Sequence, residues 1–249
     1  MAKMIIPCGK PSFWGNEKAY LMDAFDSTWI SRGKYIEQFE GQLVQELDAG
    51  FGAVASSGTA ALQLALLALG AGPGDEVIVP GYSFAAPVNM VIAVGATPVY
   101  ADVNPETWCL DASRVARCVT DKTKAILAIH IYGNMCDMDA LKKVAQEHNL
   151  YLVEDAAEAL FSKYAGKYSG TWGDVGCFSF QATKTLTMGE GGFVVTQNKE
   201  LYDKMFRMRN HGMDPDKHYW HKDTGFNFRL TNLQAAIGCA QLEKVDEIK

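Results

Sequence analysis

From residue 51 onwards, short apolar runs alternate with longer segments that have the periodicity of helices. Five of these runs are typical of strands: GAVASSG, VIVP, TPVYADV, AILAIH and LYLVEDA. Segments typical of helices lie between them, among them TAALQLALLALG, AAPVNMVIAVG and MDALKKVAQEHN. Strands that alternate with helices form a mostly parallel sheet, because each crossover helix packs back onto one face of the sheet. The alternation therefore predicts an α/β fold with a mostly parallel central sheet and helices on both faces.

Both ends of the sequence add segments to this alternation. Residues 1–50 are predicted to form an N-terminal arm and helices that belong to the large domain, which itself covers residues 51–235. Residues 236–249 continue an amphipathic helix to the end of the sequence. We expect this helix to lead into a smaller C-terminal domain that the chain itself lacks.

The composition is that of a globular protein and argues against several classes of function. Hydrophobic residues make up 48% and charged residues 21%, and 23 basic against 29 acidic residues give a net charge of -6. Because no basic stripe is present, we expect no binding to nucleic acid. No apolar run is long enough to predict a membrane span, and the N-terminus is not typical of a signal peptide. The six cysteines have no C-x-x-C pair, which favours reduced thiols in a cytoplasmic protein without a metal site.

A single lysine, Lys184, stands in an uncharged run between Asp174 and Glu190. The strand-like run DVGCFSF precedes it, and the turn GEGG leads from it into the strand-like run GGFVVTQ. Loops that follow strands are where α/β proteins build their sites. A lysine desolvated in such a loop loses its preference for the charged form, and its neutral amine can form a Schiff base with a carbonyl compound. The local sequence leaves two interpretations open, a surface lysine and a catalytic one.

The stretch SSGTA, residues 56–60, joins a strand to the start of an apolar helix. The first turn of a helix has free backbone N–H groups and carries the positive end of the helix dipole. Ser57 or Thr59 can cap this turn, and Gly58 lets a ligand approach the backbone closely. This arrangement is suited to a phosphate group, although a capped helix without a ligand has the same pattern.

Two adjacent carboxylates, Glu154 and Asp155, end the apolar strand LYLVEDA. Neighbours on a strand point to opposite faces, so we expect one carboxylate to face a site and the other to face away. A buried carboxylate is costly without a partner. That partner is either a metal or the cationic ring nitrogen of a cofactor such as pyridoxal 5'-phosphate (PLP). His130, in HIYGN at the end of the preceding strand, is interpreted as a structural histidine rather than a base.

Taken in order along the chain, these motifs resemble the DegT/DnrJ-type sugar aminotransferases, which are fold-type I PLP enzymes. The resemblance is carried by SSGTAAL, DEVIVP, GATPVYADV, HIYGNMCDMDAL, VEDAAEA, GCFSF-x-x-x-K, GEGGFVVT and GFNFRLTNLQAAIG. These motifs cover nearly the whole chain, and they imply the large domain of a fold-type I PLP transferase. Relatives with a histidine in place of the lysine act as sugar dehydratases, and Lys184 argues against that activity.

The resemblance implies a role for four residues around the ring of PLP. Lys184 is expected to be the catalytic residue, which holds the cofactor covalently and then shuttles protons. Asp155 is expected to contact the pyridinium nitrogen, and Phe84 in GYSFAAP to cover the ring. Glu158 occupies a position that is often Gln in the family and is expected near the hydroxyl edge of the cofactor.

The resemblance also implies where the phosphate of PLP lies. Gly58, Thr59 and Ala60 at the start of the helix, together with Ser179, are expected to form its cradle. Asn227 in GFNFR matches the residue that reaches the phosphate of the neighbouring subunit. This match implies a homodimer with shared active sites.

Within the family, TWIS, VEDAAEA, MDP-x-x-x-YW and GFNFRLTN resemble one branch in particular. That branch moves an amino group from L-glutamate to GDP-4-keto-6-deoxymannose and forms GDP-perosamine for surface polysaccharide or other glycoconjugates. The QAT stretch before Lys184 departs from that branch, which leaves open a UDP- or dTDP-linked keto sugar, a 3-keto sugar or a keto-inositol. Candidate contacts to the diphosphate of the substrate are Arg32, Lys34, Arg207 and Arg209.

Two functions of other classes compete with this interpretation. A nucleotide-binding oxidoreductase would also fit the α/β alternation, but the first strand is not followed by a glycine fingerprint. A non-catalytic PLP-binding or regulatory protein would not require both Lys184 and Asp155. The sequence therefore favours an aminotransferase.

Overall fold

The centre of the fold is a seven-stranded sheet, as the computed structural model shows for residues 9–249, which are the residues that the structure describes. The strands of the sheet are β1 (Phe51–Ala55), β2 (Glu76–Pro80), β3 (Thr97–Ala101), β4 (Thr123–Ile129), β5 (Tyr151–Asp155), β8 (Val175–Ser179) and β9 (Gly192–Thr196). A separate two-stranded hairpin consists of β6 (Lys163–Tyr164) and β7 (Lys167–Tyr168).

The strands of the sheet lie in the order β1, β9, β8, β5, β4, β2 and β3. The pairs from β8 through β5, β4 and β2 to β3 are all parallel, whereas β9 is antiparallel to both of its neighbours, β8 and β1. All the strands except β9 therefore run in one direction, and the prediction of a mostly parallel sheet is confirmed. The C-terminal ends of these parallel strands lie on one edge, called the carboxyl edge below.

Helices cover both faces of the sheet, as the alternation predicts. Those found in the described part of the chain are α1 (Glu17–Asp26), α2 (Lys34–Glu46), α3 (Gly58–Ala68), α4 (Ala85–Ala93), α5 (Ala112–Cys118), α6 (Met138–Glu147), α7 (Lys199–Met208), α8 (Asn232–Leu242) and α9 (Val245–Ile248). α3, α4 and α7 bury their apolar side chains against one face. α1, α2, α5, α6 and α8 pack against the opposite face.

α2 shows how the apolar pattern of a helix supports the carboxyl edge. Its buried side chains Tyr35, Phe39 and Leu43 recur every four residues, and Leu47 continues the stripe just after the helix ends. Such a stripe faces one side of a helix. The ring of Phe39 meets the ring of Phe180 edge-to-face, with 5.3 Å between the ring centroids. Because Phe180 directly follows β8, α2 supports the loop that carries Lys184.

The structure differs from the sequence prediction at the last helix, which is broken rather than continuous. α8 ends at Leu242, and α9 begins at Val245 after a tighter turn in which the Lys244 N–H donates to the Gln241 carbonyl oxygen. This turn lets Val245 as well as Leu242 contact the core. α5 and the β6–β7 hairpin were not predicted. α5 is a short helix, although its N-cap Asp111 is a recognisable start signal.

Three further expectations concern membrane spans, the cysteines and the division into domains. No helix in the part of the chain that the structure describes is long and apolar enough to cross a membrane. Five of the six cysteines are free thiols, and Cys8 lies outside the described residues with the start of the N-terminal arm. The division into residues 1–50, 51–235 and 236–249 stays a prediction.

Candidate active site

A cavity of about 470 Å³ opens at the carboxyl edge of the sheet, among the segments that follow β1, β2, β4, β5 and β8. Ligand sites of α/β proteins lie at this end of the strands, because the loops that carry functional side chains begin there. Most of the residues predicted to bind the cofactor line this cavity: Gly58, Thr59, Phe84, Asp155, Glu158, Ser179 and Lys184. The strand ends thus bring together side chains that are far apart in the sequence.

The start of α3 forms one end of the cavity. Ser57 caps the helix, since its Oγ accepts a hydrogen bond of 3.1 Å from the Ala60 N–H. The Gly58 and Thr59 N–H groups have no protein acceptor among residues 9–249. These two free donors lie at the positive end of the helix dipole, so this end of the cavity favours an anion.

Ser179 at the end of β8 contacts the same helix start. A Cβ atom added to Gly58 would lie 2.7 Å from the Ser179 Cβ, so the two backbones can be this close only because residue 58 is glycine. The Ser179 hydroxyl therefore lies beside the free N–H groups of α3. Together they form a cradle of the kind that binds phosphate.

Asp155 lies within the cavity wall and is the member of the carboxylate pair that faces the site. Its Oδ1 accepts a hydrogen bond of 3.0 Å from the Ala157 N–H, and no protein donor in the described chain contacts its Oδ2. Burial raises the pKa of Asp155, although the Ala157 N–H and the nearby His130 and Lys184 act in the opposite direction. A cationic donor in the cavity would lower this pKa and favour the charged carboxylate.

Glu154 faces the other side of β5, as the alternation of the strand requires. It is fully buried, and its carboxylate accepts hydrogen bonds of 2.7–2.8 Å from the N–H groups of Gly170, Trp172 and Gly173. His130 Nε2 lies 2.9 Å from Glu154 Oε2. These contacts fix the turn before β8 to β5, so Glu154 has a structural role that the sequence alone did not identify.

His130 is fully buried between Glu154 and the loop after β4. The Cys136 N–H donates to His130 Nδ1 at 3.3 Å, which makes Nδ1 the acceptor and Nε2 the nitrogen that donates to Glu154. With both ring nitrogens engaged, the imidazole has no free group to act as a base. This geometry agrees with the interpretation of His130 as a structural histidine.

Lys184 reaches the cavity from the loop between β8 and β9. Its Nζ lies 3.4 Å from Glu158 Oε1, and Glu158 Oε2 accepts a hydrogen bond of 2.9 Å from the Tyr132 N–H. The Lys184 side chain is only 23% exposed, which favours a lysine of the site over a surface lysine, and its catalytic role stays a prediction. The amine and a carboxylate thus lie together at the cavity wall, where a proton can pass between them.

The turn before Lys184 is built by the side chain of Gln181. Its Oε1 accepts hydrogen bonds from both the N–H and the hydroxyl of Thr183, at 2.8 and 2.7 Å. The Gln181 carbonyl oxygen accepts from the Lys184 N–H at 2.8 Å. Gln181 and Thr183 also line the cavity, so the QAT stretch shapes the site. The signal for them in the sequence was that QAT, just before Lys184, departs from the most similar branch.

Two of the predicted cofactor residues do not line the cavity of their own chain. Ala60 is buried in the first turn of α3, and its N–H is already engaged by Ser57. Asn227 is exposed, and its Oδ1 accepts a hydrogen bond of 3.0 Å from Arg229 Nε. The roles of Ala60 and Asn227 therefore stay predictions.

The basic residues considered for the diphosphate are not clustered at this cavity. Arg32 lines a second cavity of about 330 Å³, which shares no lining residue with the first. The other three form ion pairs: Lys34 with Asp23, Arg207 with Asp223 and Arg209 with Glu40, at N–O distances of 2.8, 2.7 and 2.6 Å. A guanidinium or ammonium already paired with a carboxylate is a weaker candidate for binding a diphosphate.

Comparison with known proteins finds a family and relatives that match nearly the whole chain. Residues 13–249 match the DegT/DnrJ/EryC1/StrS aminotransferase family. The chain is 47% identical over 243 residues to GDP-perosamine synthase from Escherichia coli O157:H7, which covers 97% of the chain and 67% of that relative. The chain therefore spans about two thirds of the length of this relative.

Solved structures share the fold. An aminotransferase from Psychrobacter cryohalolentis superposes with a TM-score of 0.92 at 35% identity and covers 98% of the chain, which matches 65% of that protein. NtdA from Bacillus subtilis, solved with bound cofactor PMP, gives a TM-score of 0.88 at 35% identity, with 93% of the chain and 53% of NtdA covered. The prediction of an aminotransferase fold is confirmed.

Proposed function

The chain belongs to the DegT/DnrJ/EryC1/StrS aminotransferase family, and we propose that it transfers an amino group from L-glutamate to a 4-keto-6-deoxy sugar carried on GDP. The family and its structures with PLP or PMP identify the cofactor class. The observation that carries the proposal is the placement of Lys184, Asp155 and the free N–H groups of α3 in one cavity.

The cavity fits PLP by its size and by its donors and acceptors. Its volume of about 470 Å³ lies within the usual range for small-molecule sites, about 300–1,000 Å³. The phosphate would accept hydrogen bonds from Gly58, Thr59 and Ser179. At the other end, Asp155 Oδ2 would accept the N–H of the pyridinium ring, the donor that it lacks in the protein itself.

PLP supplies an electron sink for the transfer of an amino group, and the protein orients it. Asp155 holds the proton on the ring nitrogen, because a carboxylate in a buried site stabilises a cation beside it. Phe84, which is 74% exposed and lines the cavity, would cover the ring and help to exclude water. Lys184 would hold and move a proton at its Nζ, and Glu158, 3.4 Å away, would orient that amine.

The acceptor is inferred from similarity to the GDP-perosamine synthases. Relatives with that name from Escherichia coli and Vibrio cholerae are each 47% identical over nearly the whole chain. We therefore propose GDP-4-keto-6-deoxymannose as the acceptor and glutamate as the donor. Such an enzyme works in two half-reactions, one for each substrate, and shows ping-pong kinetics.

We also propose that the enzyme is a cytoplasmic homodimer with shared active sites. Asn227 lies outside the cavity of its own chain, and Arg229 occupies its Oδ1, which leaves its amide N–H groups free to donate. A phosphate in the cavity of a second subunit would be a suitable acceptor for them. The proposal is consistent with the resemblance of GFNFR to the shared-site motif.

Absorbance spectroscopy tests the cofactor and the role of Lys184. The purified enzyme should be yellow, or become yellow when PLP is added, and reduction with borohydride should fix the cofactor on Lys184. Lys184→Ala should lose the covalent cofactor and more than 99% of the activity, whereas Lys143→Ala, at an exposed surface position, should keep both. A wild-type enzyme that stays colourless with added PLP would contradict the assignment.

Single-turnover experiments with each substrate test the reaction itself. Glutamate alone should convert the bound cofactor to PMP and release 2-oxoglutarate. The PMP form should then aminate the GDP-linked keto sugar. If the first step occurs and only a UDP- or dTDP-linked sugar or a keto-inositol is aminated, the enzyme is an aminotransferase with another acceptor. If glutamate leaves the spectrum unchanged, the proposed donor is wrong.

A further inference from the structure

Three aromatic side chains form an exposed cluster at the carboxyl edge, called the aromatic wall here. Tyr82, Trp108 and Tyr132 lie in the segments that follow β2, β3 and β4, which are neighbours in the sheet. Ring centroids are 5.6 Å apart between Tyr82 and Trp108 and 6.3 Å apart between Trp108 and Tyr132, in edge-to-face contacts. The side chains are 43%, 49% and 69% exposed, so ring faces remain open to solvent.

The backbone of the aromatic wall is held in an unfavourable conformation. Trp108 and Tyr132 have φ values of 60° and 52°, in the left-handed region that bulky residues rarely adopt. The Asn104 carbonyl oxygen accepts from the Trp108 N–H at 2.8 Å, and Glu158 accepts from the Tyr132 N–H. Strained residues held by their surroundings cluster at ligand sites, and neither side chain contributes to the core.

The aromatic wall continues the mouth of the cavity. Tyr132 directly follows Ile131, which lines the cavity, and Tyr82 lies two residues before Phe84. Glu158 contacts both Lys184 and the Tyr132 N–H, so one carboxylate connects the reacting amine to the wall. A substrate that extends out of the cavity on this side would pass over the exposed rings.

The size of the cavity favours such an extension. A volume of about 470 Å³ is in the range of a site for one small molecule, so PLP would take up much of it. A nucleotide joined to the sugar would then extend across the rim. Exposed aromatic rings bind bases by stacking, because every base has a π face.

We propose that the aromatic wall binds the base of the nucleotide that carries the keto sugar. This inference rests on the proposed function and assigns the base to the stretch of rim formed by Tyr82, Trp108 and Tyr132. Because a purine offers a larger face for stacking than a pyrimidine, the wall favours GDP over UDP.

Equilibrium titration of the holoenzyme with GDP, UDP and inorganic pyrophosphate tests the wall. Trp108→Leu and Tyr82→Leu should each raise the Kd of GDP about tenfold, while the Kd of pyrophosphate should change less than twofold. Leucine keeps an apolar side chain but removes the flat ring. Trp14→Leu is the matched control, since Trp14 is also 49% exposed but lies outside the wall, and it should leave the Kd of GDP unchanged.

Several results would overturn the assignment of the wall. One is an unchanged Kd of GDP in both leucine variants when circular dichroism shows that they are folded. Another is a rise in the Kd of pyrophosphate that is as large as the rise in the Kd of GDP. Light scattering that shows dissociation of the subunits in both variants would make the wall a subunit contact instead. Failure of the glutamate half-reaction in the wild type would contradict the proposed function, and it is measured without any nucleotide.

Discussion

At the scale of single residues, β5 places side by side two carboxylates that differ in how many hydrogen bonds the protein donates to them. Glu154 receives three backbone N–H groups and His130, so the protein itself compensates the burial of its charge. Asp155 receives only the Ala157 N–H and keeps one oxygen for the cavity. The difference follows from the alternation of a strand, because one face meets the turn before β8 and the other meets the site. Burial raises the pKa of Asp155, and a cation in the cavity would favour its charged form.

This difference predicts how Asp155→Asn changes the cofactor-free protein. Burial raises the folded-state pKa of Asp155 above its ordinary value of 3.8, so the folded state binds a proton that the unfolded state releases. The free energy of unfolding of the wild type should then fall as pH rises from about 4 through the raised pKa. Asp155→Asn removes this pH dependence, so at pH 7–8 the cofactor-free variant should unfold at a higher urea concentration than the cofactor-free wild type.

The same variant should bind PLP at least tenfold more weakly, because the amide cannot neutralise the pyridinium N–H. Urea unfolding of the cofactor-free proteins at pH 4 and pH 8 and titration with PLP measure the two effects. The stability difference should vanish near pH 4. A cofactor-free variant that is less stable than the wild type at pH 8 would show that Asp155 is satisfied within the protein.

At the scale of elements, the site depends on how closely α3 approaches the end of β8. α3 is apolar on nearly all sides because it lies between the sheet and two other helices, α4 and α7. Its first turn rests directly on Ser179, and the absence of a side chain at Gly58 sets that separation. The phosphate cradle is therefore a product of helix-to-strand packing as much as of the SSGTA stretch.

Gly58→Ala should separate these two elements. The added Cβ would meet the Ser179 Cβ at 2.7 Å and its Cα at 3.3 Å, which is too close for the backbone to absorb without a shift. We expect the Kd of PLP to rise about tenfold and the protein to lose about 1–3 kcal/mol of stability, as overpacking in a close contact does. Fluorescence titration with PLP and urea unfolding measure the two changes.

Gly41→Ala is the matched control, because a Cβ there meets nothing within 4 Å and the residue lies within α2. It should raise the stability by about 0.5–1 kcal/mol, since alanine favours the helix over glycine. Its affinity for PLP should not change. Equal affinities of the Gly58 and Gly41 variants would show that close packing at Ser179 is not needed for the cradle.

The order of the helices and strands could be predicted from the sequence, and with it part of the site. The alternating segments gave the strand order along the chain and hence the edge where Lys184, Asp155 and the start of α3 meet, since parallel strands align their carboxyl ends. The aromatic wall was not predicted, because Tyr82 and Tyr132 are 50 residues apart in the chain and meet only through the order of the strands in the sheet. The periodicity of the sequence predicts the helices and strands, but it does not predict which of them lie side by side in the fold.

At the scale of the whole molecule, the cavity of one chain is incomplete as a cofactor site if Asn227 belongs to it. Asn227 is exposed, lies outside the cavity of its own chain and has its Oδ1 engaged by Arg229. A homodimer in which each Asn227 donates to the phosphate bound by the partner subunit would explain why Asn227 lies outside the cavity of its own chain. Such sharing makes a specific prediction for hybrid dimers, because the two halves of one site then come from different chains.

Lys184→Ala and Asn227→Asp should each inactivate the homodimer, the first by loss of the amine and the second by repulsion between a carboxylate and the phosphate. In a hybrid of one chain of each variant, shared sites leave one cavity with both changes and the other with neither. Refolding or co-expressing the two variants with different affinity tags, and isolating the doubly tagged dimer, should therefore restore about half of the wild-type activity per dimer. If Asn227 acts only within its own chain, every cavity of the hybrid carries one defect and the activity stays lost. Doubly tagged wild-type dimers provide the reference, and a monomer by light scattering would rule out the sharing altogether.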